Sequence, residues 1–498
     1  MRILGKFEKS MDSWFLIIIS VIFFFLRFPS LFEPNWYGDE GIYQTLGIGM
    51  NAGRLLYRDI FDNKPPLLYF LYSLVSSDQF MIRLASLIVG ILTVIVFFFF
   101  AKRLFFASAK TQKAVYVSTI IFSVLFGLPL IEGNIANAEN FMLLPNIVAA
   151  YLVLKSISQE NQKLRLKMQL IAGAVIGISF LLKVVAVFDF AAFFAFLFFV
   201  NYPGKLLEIL KPVNIIREIK NLLPITLGFI IPIIFVTLYF IFRGAFSDFI
   251  KAILFSNIGY VGYGNQFIIP QGFLILKLLL LSIFGLFIFA KRNILGNAFT
   301  LISLWLAFSL FDAYFSQRPY THYVLVLLPS ISLMVGFFIA NKNYSKFAGA
   351  LVIISIAAVI LSFSFYRKTV FYYQNFVSFL AGQKSVYAYQ KFFDSNTPRD
   401  YALADYINTN TKNADNIFIW GNNAQVYKLT NKLPPGKYTA AYHITSYKDG
   451  MENTKTGLKS KAPKIVIVMP NTSGYPFSLS GYNMKINING ALIYEKLY

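Results

Sequence analysis

Two acidic residues and a lysine stand close together near the start of a chain that is otherwise strongly apolar. Asp39 and Glu40 are adjacent, and Lys64 follows Asp62 within the same polar segment, 32–80. Charged groups near lipid cost free energy, so they are retained where they serve a function. We therefore predict that this segment carries part of a functional site.

The chemistry that these residue types favour is transfer of a group from a phosphate ester to a hydroxyl. A carboxylate can remove the proton of the attacking hydroxyl, and a cation can stabilise the negative charge on the departing phosphate. We predict Asp39 as the base, with Glu40 as the second choice. Lys64 and Arg318 are the cations predicted to lie beside the phosphate.

Further polar residues lie in segments that are predicted to face the same side of a membrane. Together with the first segment they are expected to form one site. The segment 132–140 supplies carboxylates and amides, and 317–323 supplies cationic and aromatic residues. The residues concerned are Asn137, Glu139, Lys183, Tyr263, Arg318, Tyr320 and His322.

Several of these residues also have an ordinary structural explanation. Lys64 could extend its ammonium group to lipid headgroups, and Arg318 could be an interfacial anchor. Glu139 could be an acid favoured by the dipole at a helix start. His322 could be a polar residue at the end of a span.

The elements that must position these residues are membrane spans. Hydrophobic residues make up 57% of the 498 residues and charged residues 14%, which no water-soluble domain of this length would show. Apolar runs near or above the threshold of about 18 residues recur along the first three quarters of the chain. We predict a polytopic α-helical membrane protein with about eleven transmembrane helices. The runs are 14–31, 81–104, 114–130, 141–154, 170–182, 184–200, 222–242, 273–290, 299–315, 323–340 and 347–365.

Lysines and arginines concentrate in alternate loops, such as 102–113 and 155–167. Because cytoplasmic loops carry the excess of these residues, the N-terminus is predicted to be cytoplasmic. An odd number of spans then places segment 32–80 and the C-terminal part outside the cytoplasm. Nucleotide sugars are absent there, so a transferase needs a donor delivered through the bilayer. A sugar linked to polyprenyl phosphate meets that need.

After residue 365 the composition becomes polar, with short apolar strands at 416–421 and 464–469. A helix is predicted from Pro398 to Ile407, with Thr397 as its N-cap. We predict a transmembrane catalytic domain, 1–365, and a small extracytoplasmic α/β domain, 366–498. The second domain could act as a lid or stability module, or recognise the acceptor.

The net charge of +22 does not indicate a nucleic-acid partner, because much of it belongs to the predicted inner loops. A basic surface beside anionic headgroups explains it. Cysteine is absent, so the redox compartment cannot be inferred. The sequence contains no metal-binding Cys/His spacing, no P-loop and no dinucleotide-binding glycine motif.

Taken together, these segments resemble the GT-C glycosyltransferases, in the branch of protein O-mannosyltransferases and aminoarabinose (lipid A) transferases. The matching pieces cover nearly the whole chain. The most specific is the acid motif followed by Lys-Pro-Pro in one loop, and the segment containing His322 is second. Where the aminoarabinose transferases have an acid before the lysine, this chain has Asn63. The matching segments are 38–43, 53–57, 64–67, 83–84, 138–140, 318–323, 328–329, 417–421 and 427–430.

The resemblance implies a role for each matching residue. Asp39 would be the catalytic acid, Lys64 would contact the carrier phosphate, and Arg318 and His322 would help to hold it. Relatives of this branch work without an essential metal, although the acids Asp39 and Glu139 could together bind a divalent cation. The residues predicted to bind the acceptor or the sugar are Glu139, Asn137, Asp62, Tyr320 and Tyr263.

The sequence therefore predicts an enzyme of the plasma membrane that transfers one sugar, with inversion, from a polyprenyl-phosphate donor. The acceptor is a protein, a lipid or a cell-envelope glycan. A lipid-linked-sugar flippase and an oligosaccharide ligase or polymerase are the alternatives, and a non-catalytic scaffold is a further one. The sugar, the acceptor and the oligomeric state do not follow from the sequence.

Overall fold

The structure is a computed structural model that describes residues 2–105, 109–204, 208, 211–341, 346–470, 472 and 474–497. The first fourteen helices are α1 (Arg2–Arg27), α2 (Gly38–Asn51), α3 (Pro66–Leu74), α4 (Gln79–Leu104), α5 (Ala109–Gly127), α6 (Ala138–Ile157), α7 (Gln162–Leu182), α8 (Val187–Asn201), α9 (Pro212–Phe242), α10 (Phe246–Ile250), α11 (Ser256–Gly264), α12 (Gly272–Ala313), α13 (Leu328–Ala340) and α14 (Lys346–Ser362). The remaining elements are α15 (Thr369–Leu380), α16 (Val386–Phe393), α17 (Thr397–Asn410), β1 (Ile417–Trp420), α18 (Gln425–Thr430), α19 (Ala441–Ser446), α20 (Gly450–Lys461), β2 (Ile465–Val468), β3 (Tyr482–Ile488) and β4 (Ala491–Lys496).

In the part of the chain that the structure describes, eight helices are long and apolar enough to cross a membrane. Two shorter apolar helices, Gln112–Gly127 and Val352–Ser362, overlap the predicted runs 114–130 and 347–365. The eight are Ser10–Phe32, Gln79–Leu104, Ala138–Ile157, Gln162–Leu182, Val184–Asn201, Ile216–Phe242, Gly272–Ala313 and Thr321–Ala340.

One of these helices, α12, accounts for two of the predicted runs. Its 42 residues would extend about 63 Å if they formed a straight helix, roughly twice the thickness of a bilayer core. Gly296 breaks it, since its φ of 73° and ψ of 165° are not helical. The break falls between the runs 273–290 and 299–315. The predicted fold class, a polytopic helical membrane protein with a small C-terminal sheet, is confirmed.

The chain packs as two compact units. Unit 1 consists of residues 1–28, 85–238 and 258–369, and it contains most of the apolar helices. Its core is rich in aromatic side chains. Phe97 and Phe122 stack with their ring centroids 4.2 Å apart, and Trp305 packs edge-on against Phe193 at 5.2 Å. In lipid, where apolar surface is not driven together by water, such close packing is what associates helices.

Glycines bring two of these helices especially close. Gly173 and Gly177 lie one turn apart on α7, and Gly228 lies on α9. A Cβ atom at Gly173 would lie 2.0 Å from the carbonyl oxygen of Ile225, and one at Gly228 would lie 2.0 Å from that of Leu170. The backbones of α7 and α9 can therefore touch only because these positions lack side chains.

We expect Gly173→Leu to destabilise the protein by roughly 1–3 kcal/mol, because the leucine must force the two backbones apart. Gly285→Leu is the control, since no atom lies within 4 Å of a Cβ at that glycine of α12. The measurement is the thermal unfolding midpoint of each purified variant in the same detergent. Equal midpoints for the two variants would contradict the close contact.

Unit 2 consists of residues 29–84, 239–257 and 370–498. It contains a four-stranded sheet in the order β1-β2-β4-β3, in which β1 and β2 are parallel and the other pairs are antiparallel. The two strands predicted at 416–421 and 464–469 are β1 and β2. The helix predicted from Pro398 is α17, which begins one residue earlier, so Asn396 rather than Thr397 precedes it.

Within unit 2 the early polar segment packs directly on the C-terminal part of the chain. A Cβ atom at Gly41 would lie 2.5 Å from the backbone nitrogen of Gln425, so α2 approaches α18 closely at this glycine. The Thr45 hydroxyl donates to the carbonyl oxygen of Ala424 at 3.2 Å. The Phe61 amide donates to the carbonyl oxygen of Lys437 at 2.9 Å. Residues 29–84 thus pack in the same unit as residues 370–498. The predicted domains 1–365 and 366–498 stay a prediction.

Candidate active site

Asp39 and Glu40 occupy the first turn of α2, where the helix dipole favours acids. Successive helical residues point about 100° apart, so adjacent carboxylates reach different surroundings. The side chain of Asp39 is 38% exposed, whereas that of Glu40 is 3% exposed. Of the two acids, only Asp39 presents its carboxylate where a second molecule could reach it.

Asp39 and Lys64 form an ion pair. The Lys64 Nζ lies 3.5 Å from the Asp39 Oδ2 and 3.9 Å from the Asp62 Oδ2. It also lies 4.8 Å from the centroid of the Tyr43 ring, within reach of a cation–π interaction. The Tyr43 hydroxyl donates to the Asp39 Oδ2 at 3.0 Å. One ammonium group thus orients both carboxylates.

The backbone of Lys64 is held by buried tyrosines. The Tyr57 hydroxyl donates to the Lys64 carbonyl oxygen at 2.8 Å, and the Tyr69 hydroxyl accepts from the Lys64 amide at 3.1 Å. Burial raises the pKa of both phenols well above the usual value, so both stay protonated. Pro65 then precedes α3 and Pro66 begins it. The first turn of a helix has no use for the amide hydrogen that proline lacks, so no helical hydrogen bond is lost there.

Asp62 is buried and fully engaged, so in this geometry it positions other groups. Its Oδ1 accepts from the Asn63 amide at 2.8 Å and its Oδ2 accepts from the Tyr69 hydroxyl at 2.8 Å. The Nε2 of His443 lies 3.5 Å from the Asp62 Oδ1. Asn63 is in turn bonded to Asn257, whose side-chain amide donates to the Asn63 carbonyl oxygen at 2.9 Å.

His443 is a site residue that the sequence reasoning missed. It lies in α19, far from Asp62 in the sequence, and its ring packs against Tyr442 with centroids 4.1 Å apart. Burial lowers the pKa of His443 to about 4, although the nearby Asp62 acts in the opposite direction. The residue is therefore neutral at physiological pH. The one available signal was that the chain has only two histidines.

The buried imidazole makes stability depend on pH in a defined window. In the unfolded chain His443 ionises near its ordinary pKa of about 6.5, and in the folded protein near 4, so the unfolded state binds more protons between these values. Stability is therefore present above pH 6.5 and is lost as the pH falls to 4, by up to about 3 kcal/mol. We expect His443→Asn to flatten this part of the curve of unfolding midpoint against pH. Parallel curves for the two proteins would contradict a buried neutral histidine.

Glu40 belongs to a buried ion-pair cluster. Its carboxylate oxygens accept from the Arg83 Nε at 3.1 Å and from a terminal guanidinium nitrogen at 2.5 Å. The other terminal nitrogen of Arg83 lies 2.7 Å from Glu33 and donates to the Ser30 carbonyl oxygen at 2.9 Å. Both carboxylate oxygens of Glu40 are bonded within this cluster. The catalytic role that the sequence analysis considered for Glu40 stays a prediction.

Removal of the cation should leave two buried carboxylates without compensation. We expect Arg83→Gln to lower the free energy of unfolding by roughly 3–5 kcal/mol. Arg58→Gln is the matched control, because Arg58 pairs with Asp59 while its side chain is 50% exposed. It should leave the unfolding midpoint nearly unchanged, since exposed pairs contribute little. An equal, small effect of both variants in thermal unfolding would show that the cluster is dispensable.

Unit 1 holds a second group of predicted residues. Glu139, in the first turn of α6, forms an ion pair with Lys183, and the His322 Nε2 lies 3.8 Å from the same carboxylate oxygen. The His322 Nδ1 lies 2.8 Å from the Glu132 Oε2. Lys183 also sits 4.2 Å from the centroid of the Tyr323 ring. The histidine therefore bridges two carboxylates.

The other predicted residues of unit 1 have varied surroundings. Tyr320 is exposed and its ring stacks on His322 at 5.7 Å, while Arg318 is half-buried. Asn137 is buried, and neither its amide oxygen nor its amide nitrogen bonds to any described residue. The side chain of Tyr263 lies outside the described residues.

Within the described residues, no three histidine, aspartate or glutamate side chains converge in a way that could hold a metal ion. The structure does bring together Asp39, Asp62 and Lys64 in unit 2, and separately Glu139 and His322 in unit 1. It adds His443 to the first group, and in the second it pairs the predicted Lys183 with Glu139 and places Glu132 beside His322. Glu40 turns away from its neighbour to Arg83.

Comparisons with known proteins agree with this architecture. Residues 63–214 match the family model described as dolichyl-phosphate-mannose-protein mannosyltransferase. The structure of ArnT from Cupriavidus metallidurans bound to undecaprenyl phosphate is 13% identical, with a TM-score of 0.54 over 97% of this chain and 98% of that one.

Two structures of the Archaeoglobus fulgidus oligosaccharyltransferase are more distant. One, tethered with an acceptor peptide, is 11% identical with a TM-score of 0.48 over 93% of this chain and 69% of that one. The other, called AglB and in complex with an inhibitory peptide and a dolichol-phosphate, has the same identity and TM-score over 93% and 70%. No protein of curated function matches the chain significantly. The chain thus shares the fold of the ArnT structure, its described residues include eight helices long and apolar enough to cross a membrane, and its residues 63–214 match the model described as dolichyl-phosphate-mannose-protein mannosyltransferase.

Proposed function

We propose that this protein transfers a sugar from a polyprenyl-phosphate donor to a hydroxyl or other nucleophile of an acceptor. The observation that carries the proposal is the pairing of a partly exposed carboxylate, on Asp39, with the ammonium of Lys64 at 3.5 Å. A base and an anion-binding cation side by side suit attack on a sugar carbon whose leaving group is a phosphate. The match of residues 63–214 supports this donor class.

In the proposed reaction the acceptor oxygen attacks the anomeric carbon from the face opposite the phosphate. The bond from that carbon to the phosphate oxygen breaks, and the configuration inverts. Asp39 takes the proton of the acceptor, and polyprenyl phosphate leaves with the electron pair. The Tyr43 hydroxyl, which donates to the Asp39 Oδ2 at 3.0 Å, keeps the carboxylate oriented for this step.

Lys64 stabilises the departing phosphate. Its ammonium is already held by Asp39 and Asp62, and its backbone is fixed by Tyr57 and Tyr69. The Lys64 side chain therefore loses little conformational freedom when the phosphate binds. A lysine held in this way stabilises the transition state better than a flexible lysine would. In this scheme Asp62 and His443 position the lysine.

The residues of unit 1 receive the roles implied by the resemblance. Arg318 and His322 hold the donor phosphate, and Glu139, Asn137, Tyr320 and Tyr263 contact the acceptor or the sugar. The unpartnered amide of buried Asn137 supports a role in binding hydroxyl groups, because such a group needs hydrogen-bond partners. No metal ion is assigned a role, and assays with and without a chelator test this.

The site is proposed to face outside the cytoplasm, in the plasma membrane. The support is the concentration of lysine and arginine in alternate loops, which predicts a cytoplasmic N-terminus and an extracytoplasmic C-terminal segment. A donor carried by a polyprenyl lipid reaches that face, whereas a nucleotide sugar does not.

The test compares envelope glycans, lipids and proteins by mass spectrometry in cells that lack the gene and cells that express it. Cells with the wild-type protein should show a pentose or hexose mass that the deletion loses. Asp39→Asn should reduce the modification to about 1% or less, as loss of a general base costs 10²–10⁴-fold in rate.

Asp405→Asn is the matched control, because this exposed aspartate of α17 lies outside the site. It should restore the modification fully at the same membrane level of protein. An undiminished modification with Asp39→Asn would remove the base from the mechanism. Transport of the donor without release of polyprenyl phosphate would favour the flippase alternative.

A further inference from the structure

A polar cavity of about 420 Å³ lies in unit 2, apart from the residues assigned above. Its wall is built from two stretches of the chain, 52–59 after α2 and 435–461, which includes one face of α20. Four cationic side chains line it, those of Arg54, Arg58, Lys437 and Lys461, with one acidic side chain, Asp59.

Ion pairs neutralise only part of this charge. Arg58 bonds to Asp59, at 2.9 Å, and the Lys437 Nζ lies 2.6 Å from Asp449. Arg54 donates to the carbonyl oxygens of Pro434 and Gly436, at 2.9 and 3.3 Å, and these are neutral groups. Even with both acids counted, the cations around the cavity are in excess.

Lys461 lies at the end of α20, near Arg54. Burial and the positive charge of Arg54 lower the pKa of Lys461, although the nearby Asp59 acts in the opposite direction. An anion bound in the cavity would relieve this repulsion. With the half-buried Arg54 beside it, Lys461 can compensate the charge of an anionic group bound in the cavity.

The rest of the wall carries neutral hydrogen-bonding groups beside the small apolar residues Ala52 and Pro435. Asn453, Thr456 and Ser460 come from one face of α20, at helical spacing. Gly457 lies against Gly436, since a Cβ atom at Gly457 would be 2.8 Å from the Gly436 nitrogen. Hydroxyl and amide groups beside cations match a ligand that combines hydroxyls with a negative charge.

We infer that this cavity binds a saccharide that carries an anionic group, a carboxylate or a phosphate. That the saccharide belongs to the acceptor rests on the proposed function, whereas binding itself does not. The anionic saccharide would place its charge at Lys461 and Arg54, and its hydroxyls at Asn453, Thr456 and Ser460.

The test uses the full-length protein in phosphatidylcholine nanodiscs and measures binding by calorimetry. The probes are tetragalacturonate, its neutral methyl ester, and mannose 6-phosphate. Lys461→Glu should weaken binding of the charged saccharides at least about tenfold, because a charge-assisted contact becomes a repulsion. Whichever charged probe binds more tightly identifies the anionic group as carboxylate or phosphate.

Lys459→Glu is the matched control. Lys459 is exposed in the same last turn of α20, so it has the same relation to the helix dipole, but it does not line the cavity. Lys459→Glu should change the affinity for the charged saccharides by no more than about twofold, because a charge outside the cavity is screened by salt. The difference between the two variants then reports the contact of Lys461 with the ligand. The thermal unfolding midpoints of both variants establish that each is folded.

Three outcomes would overturn the inference. One is equal affinity for the charged and the esterified tetramer, and another is an equal effect of the two lysine variants. The third is inorganic pyrophosphate binding as tightly as the charged saccharides, which would mean that the sugar is not recognised. None of these measurements requires sugar transfer, so failure of the proposed enzyme activity would leave their result unchanged, and the reverse also holds.

Discussion

The ammonium of Lys64 and the two carboxylates around it form the interaction on which the candidate site depends. A charge that is partly removed from water is stable only when a partner compensates it. Here Asp39 and Asp62 compensate Lys64 together, at 3.5 and 3.9 Å. The tyrosines that hold the lysine backbone and the prolines that follow it make this arrangement rigid, so catalysis would need little reorganisation.

The same requirement separates two acids that are neighbours in the sequence. Glu40 is buried against Arg83, which also pairs with Glu33, whereas Asp39 stays within reach of solvent. The carboxylate of Glu40 therefore stabilises the packing, and that of Asp39 is accessible for chemistry. In unit 1, Lys183 plays the corresponding part for the buried Glu139.

The C-terminal part of the chain takes part in unit 2 more directly than a separate module would. It supplies His443 to the surroundings of Asp62, and α20 to the basic cavity that also includes Arg54. Contacts such as that between Gly41 and Gln425 tie it to the early polar segment. Asp39, Lys64 and the basic cavity thus lie in the same compact unit.

The sequence by itself determined most of the apolar spans, the two parallel strands β1 and β2, and the acid and lysine motif. Each of these follows from local features, namely the lengths of apolar runs and the rarity of ionisable residues in an apolar chain. Only the tertiary structure decided that Glu40 pairs with Arg83 and that His443 lies beside Asp62. The physical reason is that these outcomes depend on which distant groups share a low-dielectric space, and no local pattern records that pairing.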